Sequence, residues 1–218
     1  MSASIVSVHT GKIAPLGSEG EPSGFVKQAR GGAVAVNEIG LDGDEIADLS
    51  VHGGPDKAVY GYATGHYPVW AAEQPHHASQ FGPGVMGENL AITGMTEDDI
   101  CVGDVHRVGA TLLQACQPRQ PCFKLALRFD DPKMVKAMVK TRRSGWYYRV
   151  LQSGSLAAGD AVTLETRPNP DFPFARLVEI VYDRDPSRDE LLRMTAMDGL
   201  ARQWIVQARV ALRALDQG

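Results

Sequence analysis

Residues 111–127, Thr-Leu-Leu-Gln-Ala-Cys-Gln-Pro-Arg-Gln-Pro-Cys-Phe-Lys-Leu-Ala-Leu, constrain this chain more than any other stretch. They open with the alternation of a strand, Leu113 and Ala115 on one face, Leu112 and Cys116 on the other. Pro118 and Pro121 then end regular pairing, because neither can donate a backbone N–H. The intervening Pro-Arg-Gln-Pro makes a stiff, kinked loop that ends at Cys122, and a short apolar run follows. Arg119 and Lys124 flank the thiol in sequence. Nearby cations lower a thiol pKa and favour the thiolate, which is both nucleophile and soft-metal ligand. A buried structural cysteine is the other reading, since free Cys is among the most buried residue types.

With 218 residues, 44% hydrophobic and 22% charged, the chain has the material for one large globular domain or one domain with an appendage. Its 23 glycines and 13 prolines favour many turns and short strands. A net charge of -4 argues against wrapping nucleic acid through bulk positive charge. No apolar run approaches a membrane span, so no membrane partner is expected. The N-terminus lacks a basic region and a cleavage site, so no signal peptide is expected. Three cysteines without paired spacing fit a reducing compartment, and the expected location is cytoplasmic.

Strands are expected at 5–9, 33–36, 58–62, 90–92, 105–108, 111–116, 146–151 and 161–166. Gly43-Asp44, Gly103-Asp104 and Gly159-Asp160 read as recurring hairpin turns. Short helices are expected at 66–74 and from Pro132, where Met134, Val135, Met138 and Val139 form an apolar face. Residues 167–173 hold three prolines and read as a stiff extended spacer. Beyond it Leu177, Val178 and Val181 recur at helical spacing, and Ser187 with Glu190 forms a capping box. Leu200, Trp204, Ala208, Leu212 and Leu215 line a last helix. The expected architecture is mainly β: a β-barrel with inserted short helices over 1–167 and a small three-helix domain over 174–217.

Several residues carry two readings. His52 precedes Gly53-Gly54, a turn that lets backbone approach a ligand closely and brings His52 near Lys57, although loop histidines are usually solvated. Glu88 and Asn89 can orient a polar ligand or cap their own loop. Cys101 and Cys116 sit in strands and read as core, and no Cys-x-x-Cys pair supports a zinc site. His76-His77 reads as surface. Lys27, Arg30, Lys57, Arg119, Lys124 and Arg149 are scattered, and a barrel could converge them on one anionic ligand. Lys133, Lys136 and Lys140 read as a solvated helix face.

These stretches together resemble the MOSC domain, and within it the YiiM family. The resemblance rests on Ser-Gly-Phe-Val-Lys at 23–27, Ala-Asp-Leu-Ser-Val-His-Gly-Gly-Pro-Asp-Lys-Ala-Val-Tyr at 47–60, Gly-Glu-Asn-Leu at 87–90 and Val-Gly-Asp at 102–104. Gln-Pro-Arg-Gln-Pro-Cys-Phe-Lys-Leu at 117–125 and Gly-Trp-Tyr-Tyr-Arg-Val-Leu at 145–151 complete it. Met86 stands where an aromatic often precedes Gly-Glu-Asn-Leu, and Ser23 replaces the usual threonine. The resemblance implies a barrel that binds the molybdenum cofactor (molybdopterin), with Cys122 as the protein ligand to the metal. Pyridoxal phosphate is not expected. Lys27, Lys57, Arg119 and Arg149 are then candidates for neutralising the pterin phosphate, with Gly53 and Gly54 beside it. His52 and Asn89 are candidates for the pterin or substrate side, and with Cys122 for catalysis.

The resemblance further implies reduction of N-hydroxylated compounds, such as hydroxylated purine bases, to amines. A separate flavin-containing reductase would deliver the electrons, because no Gly-x-Gly-x-x-Gly follows a strand and opens a helix. The helical tail is a candidate docking surface for it. Two other readings stay open: a sulfur carrier or cofactor-binding module with a persulfide on Cys122, and a barrel that binds an anion without chemistry.

Overall fold

The computed structural model describes residues 2–217. In chain order the strands and helices are β1 (Ser4–Thr10), β2 (Ala14–Leu16), β3 (Glu21–Ser23), β4 (Gln28–Ala29), β5 (Val34–Asn37), β6 (Gly40–Leu41), β7 (Val59–Ala63), α1 (His66–Glu73) and β8 (Leu90–Thr93). There follow β9 (Val105–Val108), β10 (Thr111–Pro118), α2 (Phe123–Phe129), α3 (Lys133–Thr141), β11 (Trp146–Gln152), β12 (Gly154–Leu156) and β13 (Val162–Thr166). Helices α4 (Phe174–Asp183), α5 (Arg188–Met194) and α6 (Arg202–Leu215) end the chain. Short 3-10 segments occupy Pro55–Lys57 and Pro75–Gln80.

Eight strands form one sheet in the order β13-β9-β10-β11-β7-β8-β1-β4. Every neighbouring pair is antiparallel except β7 and β8. A parallel pair needs a crossover, and α1 with the segment up to Leu90 supplies it. The expectation of a mainly β barrel with inserted helices is met in part: the fold is sheet-rich with helices. About 28% of the chain is strand and 30% helix, and no closed barrel is formed. Strand β1 carries a register shift between Ile5 and Ser7 where it runs beside β8. Its far end pairs with the two-residue β4; on the side away from β8 its near end approaches β13 through an isolated bridge of Ser4 with Ala161 and backbone bonds from Ile5 N to Asp160 O, Gly159 N to Ile5 O and Val162 N to Ala3 O, without a continuous ladder.

The three Gly-Asp pairs are turns as expected, with Asp44, Asp104 and Asp160 N–H bonding the carbonyl three residues back, but none joins two paired strands. The hairpin between β9 and β10 closes at Gly109-Ala110, where Val108 pairs with Thr111 and Gly109 has φ 55°. The aspartates of the Gly-Asp pairs accept local or long-range hydrogen bonds instead. Asp104 Oδ2 takes the Cys101 N–H at 2.9 Å, and Asp160 Oδ2 takes the Ala157 N–H at 2.8 Å. Asp44 belongs to the site described below.

Two apolar clusters fill the interior. One lies under α1, α2 and α3 and contains Tyr60, Tyr62, Tyr67, Trp70, Met86, Leu125, Phe129, Met134 and Met138. The other runs from the sheet (Ile5, Val8, Leu113, Trp146, Tyr148) into the C-terminal helices (Phe174, Leu177, Val178, Leu191, Trp204, Leu212) without a break. Leu215, expected on the apolar face of α6, is exposed. Residues 167–173 are not a free spacer. Phe172 is buried, Asn169 Nδ2 bonds Val102 O at 2.7 Å, and Phe174 N bonds Ile100 O at 2.9 Å. The Ser187–Glu190 capping box is formed at α5, with both reciprocal hydrogen bonds present.

Candidate functional site

The end of β10 sets the site. A second register shift, between Ala115 and Gln117, bulges the strand where it runs beside β11. Bulges re-aim the residues that follow. Pro118 and Pro121 then carry Arg119, Gln120 and Cys122 out of the ladder and into one pocket. The same pocket receives Lys27, Asp44, His52, Lys57, Tyr60, Asn89, Lys124 and Tyr147. It encloses about 710 Å³ including its solvent-open part, within the size range of small-molecule and cofactor sites. So the structure brings together Cys122, His52, Asn89, Lys27, Lys57 and Arg119 from stretches far apart in sequence.

Cys122 is half-buried and stands just before α2. Burial alone would push its thiol up. The polar interaction with His52, the Arg119 charge and the Lys124 backbone N–H outweigh that and bring it down to about 7. The other two cysteines are core, as their strand positions suggest, and burial pushes both thiols up.

Arg119 is buried yet charged. Its guanidinium carbon lies 4.9 Å from the ring centroids of both Phe25 and Tyr60, and the group donates to Met86 O. Two aromatic faces and a carbonyl hold the cation, which no carboxylate bonds among the described residues. Tyr182 Oη, from α4, donates to Arg119 O at 2.6 Å and fixes the backbone behind it.

Lys27 is differently placed. Its ammonium bonds Asp44, and both side chains are nearly buried. Burial lowers the Lys27 pKa, and Asp44 opposes the shift. Asp44 also accepts from Gly11 N at 2.7 Å and from Asn89 Nδ2 at 2.8 Å, while Asn89 Oδ1 accepts from Tyr60 N at 3.0 Å. The Asn89 amide is therefore engaged at both ends, and it shapes the wall. Lys57 donates to Val51 O at 2.5 Å and makes no salt bridge to a carboxylate among the described residues. Lys124 donates to Pro22 O at 2.8 Å and lies 3.6 Å from Glu21.

Three of the expected cofactor-binding residues lie outside the pocket lining. Arg149 lies outside the pocket lining; it bonds Asp56 at 2.6 Å and Gln114 Oε1 at 2.8 Å. Gly53 and Gly54 are also absent from the lining. Gly54 is needed for its φ of 95°, and a Cβ on Gly53 would meet Leu49 Cδ2 at 2.8 Å. Both glycines thus have a reason in the loop's own geometry. His52 and Lys57 share the pocket, but Lys57 reaches Val51 O.

Glu88 follows the capping reading: fully buried, it accepts from Tyr67 Oη, Gly84 N and Met86 N, and burial raises its pKa. The stretch 82–87 is spelled Gly-Pro-Gly-Val-Met-Gly, but it leads into β8 and Glu88 occupies two of its N–H groups. Asp44, Phe25, Tyr60 and Tyr147 are site residues that sequence reasoning missed; Asp44 carried only the signal of a turn.

A family model described as MOSC domain matches residues 48–163. The protein YiiM of Escherichia coli is 37% identical over 199 residues, which is 91% of this chain and 88% of that one. A protein of Gibberella moniliformis named Reductase is 36% identical over 195 residues, 88% of this chain but only 35% of its own length. The crystal structure of YiiM from Geobacillus stearothermophilus superposes with a TM-score of 0.80 at 30% identity, covering 96% of this chain and 99% of that one. With a pocket assembled from its motif residues and relatives matched along nearly its full length, this chain belongs to the MOSC domain family, in its YiiM group.

Proposed function

We propose that the pocket holds the molybdenum cofactor and that the protein is an oxidoreductase reducing N-hydroxylated compounds, such as hydroxylated purine bases, to amines. One observation carries the reading: a Cys122 thiol brought down to about 7 on the wall of a pocket that also presents Arg119, Lys57 and Lys124. The donor set fits this group. Among the described residues no three His, Cys, Asp or Glu side chains are placed to hold a bare ion. A single soft thiolate suits a metal that arrives with its own sulfur ligands, and the cations suit a phosphate tail.

When bound, the cofactor supplies two-electron transfer and an oxygen-accepting metal. Cys122 would ligate that metal as the thiolate. Lys57, Arg119 and Lys124 would offset the phosphate, with Lys27 held back by Asp44. The net reaction breaks the N–O bond of the hydroxylamine, consumes two electrons and two protons, and releases amine and water. His52, beside the thiol, is the group placed to hold or pass a proton. Asn89 and Tyr60 fix the opposite wall. The electrons come from outside the chain, and we take the donor to be a flavin-containing reductase.

The test is to express wild type and Cys122→Ala in a host that makes molybdenum cofactor, then measure metal content and turnover of an N-hydroxylated purine with a small chemical reductant. Near-stoichiometric molybdenum and amine formation in wild type, both lost in the variant, are expected. No molybdenum in wild type, where a control molybdoenzyme is loaded, would overturn the reading and turn attention to a persulfide on Cys122.

A further inference from the structure

The segment that carries His52 and Lys57 is mostly exposed, and its apolar residues Leu49 and Val51 point to solvent. Little packing holds it in place. Its own bonds are local, such as Lys57 Nζ to Val51 O, and its ties to the rest of the fold are made largely by Asp56, in the short turn Pro55–Lys57. Asp56 Oδ1 takes Arg149 Nε at 2.8 Å, from β11. Asp56 Oδ2 takes the backbone N–H of Arg202 at 2.9 Å, the first residue of α6. The Asp56 carbonyl takes Gln117 Nε2 at 2.7 Å, and Gln117 Oε1 in turn takes Gln203 Nε2 at 2.5 Å and Trp204 Nε1 at 3.2 Å.

A helix N-terminus leaves its first N–H groups without partners inside the helix, and a carboxylate there is favoured by the dipole. Ala201, at the N-cap position of α6, has no side chain that can serve. Asp56, 146 residues away, serves instead. The carboxylate therefore does two things at once: it caps α6, and it fastens the pocket segment to the C-terminal helix and to β11. Arg149, which a reading of the sequence alone places on the ligand, lies behind the pocket wall and holds the fastener.

We propose that Asp56 is a positioning residue, through which Arg149 and the first turn of α6 set where His52 stands relative to Cys122. It touches neither a ligand nor the thiol itself. This inference takes from the proposed function only that Cys122 is the reactive group, and its test needs no cofactor, so the two stand or fall separately.

Arg202 offers a clean test, because it occupies the first helical position. Proline is well tolerated there and removes only the N–H. Ala201 has φ -62° and ψ 138°, the backbone a residue before proline favours. Arg202→Pro should delete the bond to Asp56 without unwinding α6, Arg202→Ala should keep it, and Asp56→Asn should weaken both ties isosterically. The readouts are the iodoacetamide rate of Cys122 at one fixed pH, followed on its own peptide, amide exchange over residues 49–54, and melting temperature as a check that each variant is folded. Faster exchange with a Cys122 rate at least about threefold lower in Arg202→Pro and Asp56→Asn, but not in Arg202→Ala, is expected. An unchanged or higher Cys122 rate in either folded variant overturns the proposal, whatever the exchange shows.

Discussion

At the scale of single residues, the chemistry of this protein turns on how a half-buried thiol is kept acidic. Burial works against the thiolate, so the neighbours must outweigh it, and the two that do so with a side chain are His52 and Arg119. Arg119 is fixed by two rings and two backbone bonds, whereas His52 rides on an exposed segment. The sign of the pH dependence follows. Above about pH 7 the thiolate dominates and alkylation of Cys122 is at its plateau; below it the thiol protonates and the rate falls. A rate profile with its midpoint near 7 is expected. In His52→Ala the midpoint should move up toward the ordinary thiol range, so that alkylation at neutral pH slows. A His52→Ala profile superposable on wild type would show that Arg119 and the Lys124 N–H suffice without the imidazole.

At the scale of elements, the contacts that build the site join stretches that have no sequence relationship. Asp44 ties Lys27 near β4, Gly11 after β1 and Asn89 before β8 into one cluster. Removing one partner of a buried pair leaves the other charge without compensation, a cost of about 3–5 kcal/mol. Lys27→Met should therefore destabilise by an amount of that order in urea unfolding, and Lys27→Met with Asp44→Asn should recover a good part of it. Equal losses in the single and double variants would mean that the pair does not couple. Legibility in the sequence divides along the same line. The capping box Ser187–Glu190 spans three residues, so its pattern is visible without a fold. The strand expected at 111–116 is likewise local; it runs on through Pro118, which still pairs with Trp146, and the loop starts only after it, with Cys122 at its end. The partners of Asp44 and of Arg149 are not local, so Asp44 reads as a turn and Arg149 as a free cation. Helix α2 is hidden because the prolines before Cys122 suggest continued loop. Barrel closure is overestimated because short strands and frequent turns do not record which edges meet.

At the scale of the whole molecule, the change in sequence pattern near 167–173 marks where strands give way to helices, and the interior does not divide there. Phe174, Leu177, Trp204 and Leu212 pack in the same cluster as Ile5, Leu113 and Trp146, and Phe172 within the proline-rich segment is itself buried. Polar ties cross the same boundary: Tyr182 to Arg119, Gln203 and Trp204 to Gln117, Arg202 to Asp56. Each of these reaches a residue on the wall of the pocket or directly behind it. We propose that 1–167 and 174–217, distinct as they are in composition, unfold together, because separating them would strip apolar surface and leave buried polar groups unpaired at one stroke. Far-UV circular dichroism and tryptophan fluorescence, the latter reporting on Trp70 in α1, Trp146 in the sheet and Trp204 in α6, should then give coincident melting curves. A chain ending at residue 173 should lose cooperative melting and expose Cys116 to alkylation. Two resolved transitions in the full chain, or a truncated chain that still melts sharply near the full-length temperature, would instead make the helices an independent appendage. In that case the pocket walls would have to be held by the sheet alone, and the ties through Tyr182, Gln117 and Asp56 would be incidental to the site.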